Sequence, residues 1–78
     1  MLEKHLSLVI SFNRTVDAIA TEEYCLKNSI EGRLIPLPKE ISAGCGLAWK
    51  CNINNKLIMA RTLSTINIEY DKMYEILI

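Results

Sequence analysis

The residues of this chain with the clearest capacity for chemistry are its three cysteines, Cys25, Cys45 and Cys51. Cys45 lies between Gly44 and Gly46. Two flanking glycines let other atoms approach the sulfur closely and let the local amides turn toward an anion. A thiolate would be stabilised in such a setting, and the thiolate is the reactive form of cysteine. The sequence therefore predicts a reactive thiol at Cys45.

The polar residues around this tripeptide favour the same prediction. From Arg33 to Lys50 the chain carries three cations, with Lys39 between them, against one carboxylate, Glu40. This balance predicts a mildly electropositive loop, in which Ser42 can add a hydroxyl hydrogen bond. The thiol could then act as a nucleophile or as a carrier of sulfur. Gly-Cys-Gly also occurs in simple tight turns, so a purely structural role is the alternative.

Other kinds of site find little support in the sequence. The single histidine, His5, precedes an apolar segment and has no indicated acid to orient it, which argues against a hydrolase arrangement. The cysteines form no Cys-x-x-Cys pair, and we expect Cys25 and Cys51 to be packed inside, so no metal site is predicted. No glycine-rich nucleotide loop is present, and no cofactor is predicted. The sequence therefore indicates no complete catalytic apparatus.

Length and composition set the class of protein. With 78 residues we expect one domain over residues 1–78, small enough that a homodimer would add stability. Nine basic residues balance nine acidic ones, which argues against a nucleic-acid partner. The apolar segment Leu6 to Phe12 is too short for a signal-peptide core or a membrane span. We therefore expect a cytoplasmic protein with free thiols and no membrane partner.

Alternation of apolar and polar residues predicts four strands and two helices. The predicted elements are, in order, strand His5 to Phe12, helix Thr15 to Asn28, strand Arg33 to Leu37, strand Leu47 to Ile53, a helix of about twelve residues capped by Asn54 or Asn55, and strand Tyr70 to Leu77. This order predicts an α+β, ferredoxin-like β-α-β-β-α-β fold, a four-stranded sheet with two helices on one face. The other face would be open or covered by a second copy.

Each predicted helix has an apolar stripe that should face the sheet. In the first helix the stripe comprises Ala18, Ile19, Cys25, Leu26 and Ile30. Glu22 falls inside it, where it could bond a backbone amide or support the loop. In the second helix the stripe comprises Leu57, Ile58, Met59, Ala60, Leu63 and Ile66.

The segment around Cys45 also resembles a known family. The run Pro38-Lys-Glu-Ile-Ser-Ala-Gly-Cys45-Gly-Leu-Ala48 is similar to the Pro-Arg-Glu-Ile-Ser, small, small, Cys-Gly, apolar, Ala pattern of a small bacterial family of selenium/sulfur carrier-like proteins. Lys39 occupies the position where that family more usually has arginine. Similarity extends over most of the chain and includes Phe12, Thr15, Ala18, Glu22 and Tyr74.

The resemblance implies a function as well as a fold. It implies a ferredoxin-like or related α+β domain in which Cys45 holds a persulfide or selenopersulfide. Sulfur or selenium would arrive from a donor such as a cysteine desulfurase and leave to an acceptor protein. In this hypothesis Lys39 and the amides around Gly44 and Gly46 steady the anion. The alternative is a regulatory or protein-interaction module that dimerises through its open sheet face, with Cys45 structural or redox-sensing.

Overall fold

The computed structural model describes residues 4–41 and 44–78 of the chain. Its elements are β1 (Leu6–Ser11), α1 (Thr15–Lys27), β2 (Arg33–Pro36), β3 (Leu47–Asn52), α2 (Lys56–Thr65) and β4 (Lys72–Leu77), with a short 3-10 turn, Ile53–Asn55, before α2. The predicted β-α-β-β-α-β order and the α+β, ferredoxin-like class are confirmed. None of the helices in the described ranges has the length and apolar character needed to cross a membrane.

The sheet has the order β2-β3-β1-β4, and every neighbouring pair is antiparallel. β1 occupies an inner position because it is the most apolar strand. Leu8, Val9 and Ile10 follow one another there and are all fully buried, which confirms a strand with both faces covered. β3 separates β2 from β1, so each β-α-β unit is split by one strand. This arrangement brings the end of β1 beside the start of β3.

One face of the sheet packs against the helices and contains the main core. Its fully or almost fully buried members are Leu8, Ile10, Phe12, Ala18, Cys25, Trp49, Cys51, Met59 and Leu63. The prediction that Trp49 and Cys51 share this face and point inward is confirmed. Gly32 lies directly against the indole, since a Cβ placed on it would approach the Trp49 ring to 2.5 Å.

The predicted apolar stripe of α1 is partly wrong. Ala18, Thr21 and Cys25 face the sheet, whereas Ile19 and Leu26 are exposed. At about 100° per residue, these two positions fall on the far side of a helix whose buried line follows the spacing 18, 21, 25. The buried side chains are small, and Thr21 donates its hydroxyl hydrogen to the Asp17 carbonyl oxygen at 2.8 Å. A helix can therefore bury this semi-polar face.

The predicted stripe of α2 is too broad. Met59 and Leu63 are buried together with Thr62, but Leu57 and Ile58 are 63% and 49% exposed. A helix of ten residues that rests on a sheet by one side buries about one third of its circumference. Leu57 and Ile58 lie outside that arc, so α2 keeps two large apolar residues at the surface.

The face of the sheet without helices is covered in part by the chain itself. Val9 and Ala48 lie on this face and are fully buried, because Ile41 and partly buried apolar side chains from β2, β4 and their ends pack against them. Ile41 belongs to the segment between β2 and β3 and is only 4% exposed. The central part of this face is therefore covered by the chain itself.

Candidate functional site

The segment that carries Cys45 is an eight-residue loop closed by the sheet. The amide of Leu37 donates to the carbonyl oxygen of Gly46 at 2.9 Å, which adds one bond beyond the last paired residues of β2 and β3. Residues 38–45 connect the two sides of this bond. The amide of Ile41 donates to the Pro38 carbonyl oxygen at 3.0 Å, so the first half of the loop turns back onto the sheet.

The second half of the loop is fixed to the end of β1. The amide of Cys45 donates to the Phe12 carbonyl oxygen at 3.0 Å. Gly44 lies so close to Phe12 that a Cβ on Gly44 would come within 2.1 Å of the same oxygen, and its φ is +79°. Only glycine permits this combination of contact and left-handed backbone. Gly44 is therefore the residue that lets the loop meet β1.

The Cys45 side chain is half-buried at the edge of the helix-side core. It is a free thiol that packs against the main apolar cluster, and its sulfur lies 3.9 Å from the Leu47 carbonyl oxygen. Phe12, to which its backbone is bonded, is three residues ahead of the first residue of α1, Thr15. The backbone of Cys45 is thus bonded to the residue that follows β1, in the short connection between β1 and α1.

The other two cysteines are sealed in the core. Cys25 is fully buried and Cys51 is 3% exposed, and both are free thiols. Burial raises the pKa of the Cys25 thiol. Burial, and to a lesser degree the negative charge of Glu31 and the neighbouring Cys25, raises the pKa of Cys51 from 9.0 to about 12. Both cysteines are buried, as predicted, and burial favours the protonated form of each thiol.

The raised pKa of Cys51 predicts a loss of stability in alkaline solution. Above pH 9 the unfolded chain releases the Cys51 proton while the folded protein keeps it, so the free energy of unfolding falls as pH rises toward about 12. The slope from this one thiol is at most about 1.4 kcal/mol per pH unit. Between pH 8 and pH 10, the free energy of unfolding measured in urea should therefore decrease less for Cys51→Ala than for wild type. Equal decreases would contradict the prediction.

The remaining predicted site residues are distributed unevenly around the thiol. Lys39 and Glu40 are exposed in the turn between Pro38 and Ile41, and Ser42 lies outside the described residues. Glu22 is half-buried on α1, and no hydrogen bond joins it to a described residue of the loop. The predicted contacts of these four residues with Cys45 therefore stay predictions.

Two of the cations expected beside Cys45 are not part of its site. Arg33 and Lys50 face each other across β2 and β3, three residue pairs from the Pro36–Leu47 pair at the loop end. That separation is ~10 Å along the strands. Lys39 is therefore the cation within the loop itself, and the mildly electropositive character of the loop stays a prediction.

Two residues that hold the Cys45 loop in position were not among the site residues predicted from the sequence. Phe12 contributes its carbonyl oxygen, and Ile41 anchors the loop on the helix-free face. The available signal for Ile41 was a single large apolar residue in an otherwise polar or small segment. Among residues 4–41 and 44–78, no three side chains of the His, Cys, Asp or Glu type converge to hold a metal ion.

Comparison with known proteins gives one match, to a protein family. No curated protein and no solved structure gives a significant match to the chain. The profile of the family described as "Putative Se/S carrier protein-like" matches residues 7–75, a range that begins in β1, ends in β4 and contains the whole Cys45 loop. The chain therefore belongs to this family of Se/S carrier-like proteins.

Proposed function

We propose that this protein carries a single sulfur or selenium atom on Cys45, as a persulfide or selenopersulfide. The observation that supports it best is the contrast among the three thiols. Cys25 and Cys51 are buried and protonated, whereas Cys45 is half-buried on a loop docked to β1. A carrier needs one accessible sulfur and a surface for its partners, without a complete catalytic apparatus.

The loading step requires only thiol chemistry. The Cys45 thiolate attacks the outer sulfur of a donor persulfide, R–S–SH. A new S–S bond forms to Cys45, the donor S–S bond breaks, and the donor leaves as the thiolate R–S⁻. The sulfane sulfur keeps its oxidation state, so no external oxidant or reductant is consumed. Delivery is the reverse event, in which an acceptor nucleophile attacks the outer sulfur and Cys45 leaves as a thiolate.

The protein's contribution is to hold the anion that forms in both steps. The amide of Cys45 is already bonded to Phe12, so backbone stabilisation of the charge falls to the neighbouring amides of Gly44 and Gly46. Lys39, exposed in the same loop, supplies a mobile positive charge. Glu22 and Ser42 would act as supports of the loop, and Glu40 as a polar contact for a partner.

The proposed partners follow from this chemistry. The donor is a protein that generates a persulfide from cysteine, such as a cysteine desulfurase, and the acceptor is a protein that consumes sulfane sulfur or selenium. The exposed turn at Lys39 and Glu40 is the part of the loop that such partners would meet first.

Intact-protein mass spectrometry tests the proposal. Wild type is incubated with a cysteine desulfurase and cysteine, and we expect the mass of one added sulfur atom. Cys45→Ser should gain none, because serine cannot form the S–S bond. The matched control is the Cys25→Ala/Cys51→Ala double variant, which keeps only Cys45 and should load like wild type.

Two outcomes would overturn the carrier function. One is equal added mass on wild type and Cys45→Ser, which would place the sulfur elsewhere. The other is the absence of added mass on wild type with both the desulfurase and a small-molecule persulfide as donors. In the second case, oxidation of Cys45 to sulfenic acid by dilute peroxide would favour a redox-sensing role instead.

A further inference from the structure

A cleft of about 660 Å³ opens where β1 and β2 begin and β3 ends. Its lining includes Glu31, Gly32, Arg33, Lys50 and Asn52. β3 begins two residues after Cys45 and ends at Asn52, so the length of that strand, ~17 Å, separates the cleft from the thiol. The cleft is therefore distinct from the carrier site, and its volume lies within the range of about 300–1,000 Å³ typical of small-molecule sites.

Two positive charges face each other on this cleft. Arg33 on β2 and Lys50 on β3 are direct partners in the antiparallel register. Like charges in directly opposite positions destabilise a sheet unless a counter-charge lies between them. Within residues 4–41 and 44–78 neither side chain forms an ion pair, since the ion pairs there are Arg14–Asp17 and Lys56–Glu75. Lys50 Nζ donates to the main-chain oxygen of Ile78 at 3.4 Å, and the Arg33 side chain has no hydrogen bond to another described residue.

The carboxylate of the lining, Glu31, is directed at other donors. Its Oε1 accepts from the Asn52 amide at 3.0 Å and from Asn55 Nδ2 at 3.4 Å. These bonds hold Glu31 against the turn that follows β3. Glu31 therefore stabilises one wall of the cleft and, within the described residues, forms no ion pair with Arg33 or Lys50.

We propose that this cleft binds a small molecule through an anionic group, a carboxylate or a phosphate, held between Arg33 and Lys50. An arginine fork donates two parallel hydrogen bonds to either group, and an ammonium adds a third charged donor. The bound anion supplies the counter-charge that the register lacks. The amide side chain of Asn54, also on the lining, offers a neutral donor to the rest of the ligand.

Trp49 lies close enough to this cleft to report the binding of a ligand in it. Gly32 lines the cleft and lies against Trp49, since a Cβ on Gly32 would come within 2.6 Å of the indole nitrogen. Trp49 is the only tryptophan of the chain, and its buried Nε1 has no hydrogen-bond partner among the described residues. A small displacement of residues 31–33 by a ligand should therefore change the indole fluorescence and the indole N–H resonance.

Titration at constant ionic strength tests the proposal. Inorganic phosphate and succinate are added separately, with sodium chloride replaced to keep the salt constant, and Trp49 fluorescence and amide resonances are followed. We expect saturable changes at Arg33, Lys50 and Trp49 with at least one of the two anions. The anion that binds more tightly identifies the ligand class.

Charge variants provide the control. Arg33→Gln and Lys50→Gln should each weaken binding about tenfold, as expected for the loss of one charged hydrogen bond. Lys56→Gln removes the same charge outside the cleft and should leave binding unchanged. The proposal is overturned if neither anion gives saturable changes in wild type, or if Lys56→Gln weakens binding as much as the two cleft variants.

Discussion

Gly44→Ala is expected to detach the Cys45 loop from the end of β1 and to lower the free energy of unfolding by about 3 kcal/mol. An alanine Cβ would lie 2.1 Å from the Phe12 carbonyl oxygen, and the backbone has a φ of +79°. The left-handed conformation alone costs a non-glycine residue about 1–2 kcal/mol, and the displaced Cys45–Phe12 hydrogen bond adds about 1 kcal/mol. Urea unfolding measures the change in free energy.

Gly46→Ala is the matched control for this prediction. Gly46 has a similar φ, +88°, but nothing lies within 4 Å of the position that its Cβ would occupy. The free energy of unfolding should therefore fall only by the cost of placing alanine in a left-handed backbone conformation, about 1–2 kcal/mol. Persulfide loading should also be slower in Gly44→Ala than in Gly46→Ala, because only the first substitution moves Cys45 away from β1. If the two variants unfold alike and load alike, the docking of Gly44 on Phe12 has no role.

Ile41→Ala is expected to destabilise the protein by about 2–3 kcal/mol, although residue 41 lies in a connecting segment. Ile41 is 4% exposed and packs on Val9 and Ala48. Truncation of a buried isoleucine to alanine removes about 2–5 kcal/mol, and a loop can partly collapse into the space, which favours the lower part of that range. Thermal or urea unfolding gives the value.

Leu57→Ala is the matched control, since Leu57 is as large and apolar but 63% exposed. Its effect should stay within about 0.5 kcal/mol. A second measurement, the rate of Cys45 alkylation, should rise in Ile41→Ala and stay unchanged in Leu57→Ala, because only Ile41 holds the loop that carries the thiol. A loss of stability below 1 kcal/mol for Ile41→Ala would show that the loop is not anchored on the sheet.

The sequence was most informative where one physical rule dominated. The apolar residues 8–10 predicted an inner strand, because a strand buried on both faces loses its polar alternation. The third strand was predicted from its alternation to place Trp49 and Cys51 on one inward face, and both lie there. Cys25 and Cys51 were predicted to be buried, and both are. Each prediction depended on residues adjacent in the chain.

The sequence was less informative about features that depend on contacts between two segments far apart in the chain. Whether Ile19 and Leu26 are buried depends on how α1 is rotated on the sheet. The apolar spacing alone predicted the wrong side of the helix for these two residues. The charges at Arg33 and Lys50 seemed from their sequence positions to surround the loop. The register of β2 and β3 instead places them opposite each other and away from it.

For the element around Cys45, the sequence by itself determined the class of fold, the presence of a glycine-flanked loop and the identity of the one thiol outside the regular elements. These follow from local periodicity and backbone preference. Tertiary structure alone decided that the loop folds over the helix-free face through Ile41 and is bonded to Phe12, and that two cations form a separate cleft. The physical reason is that contacts between residues far apart in the chain depend on strand order and register, which local patterns do not encode.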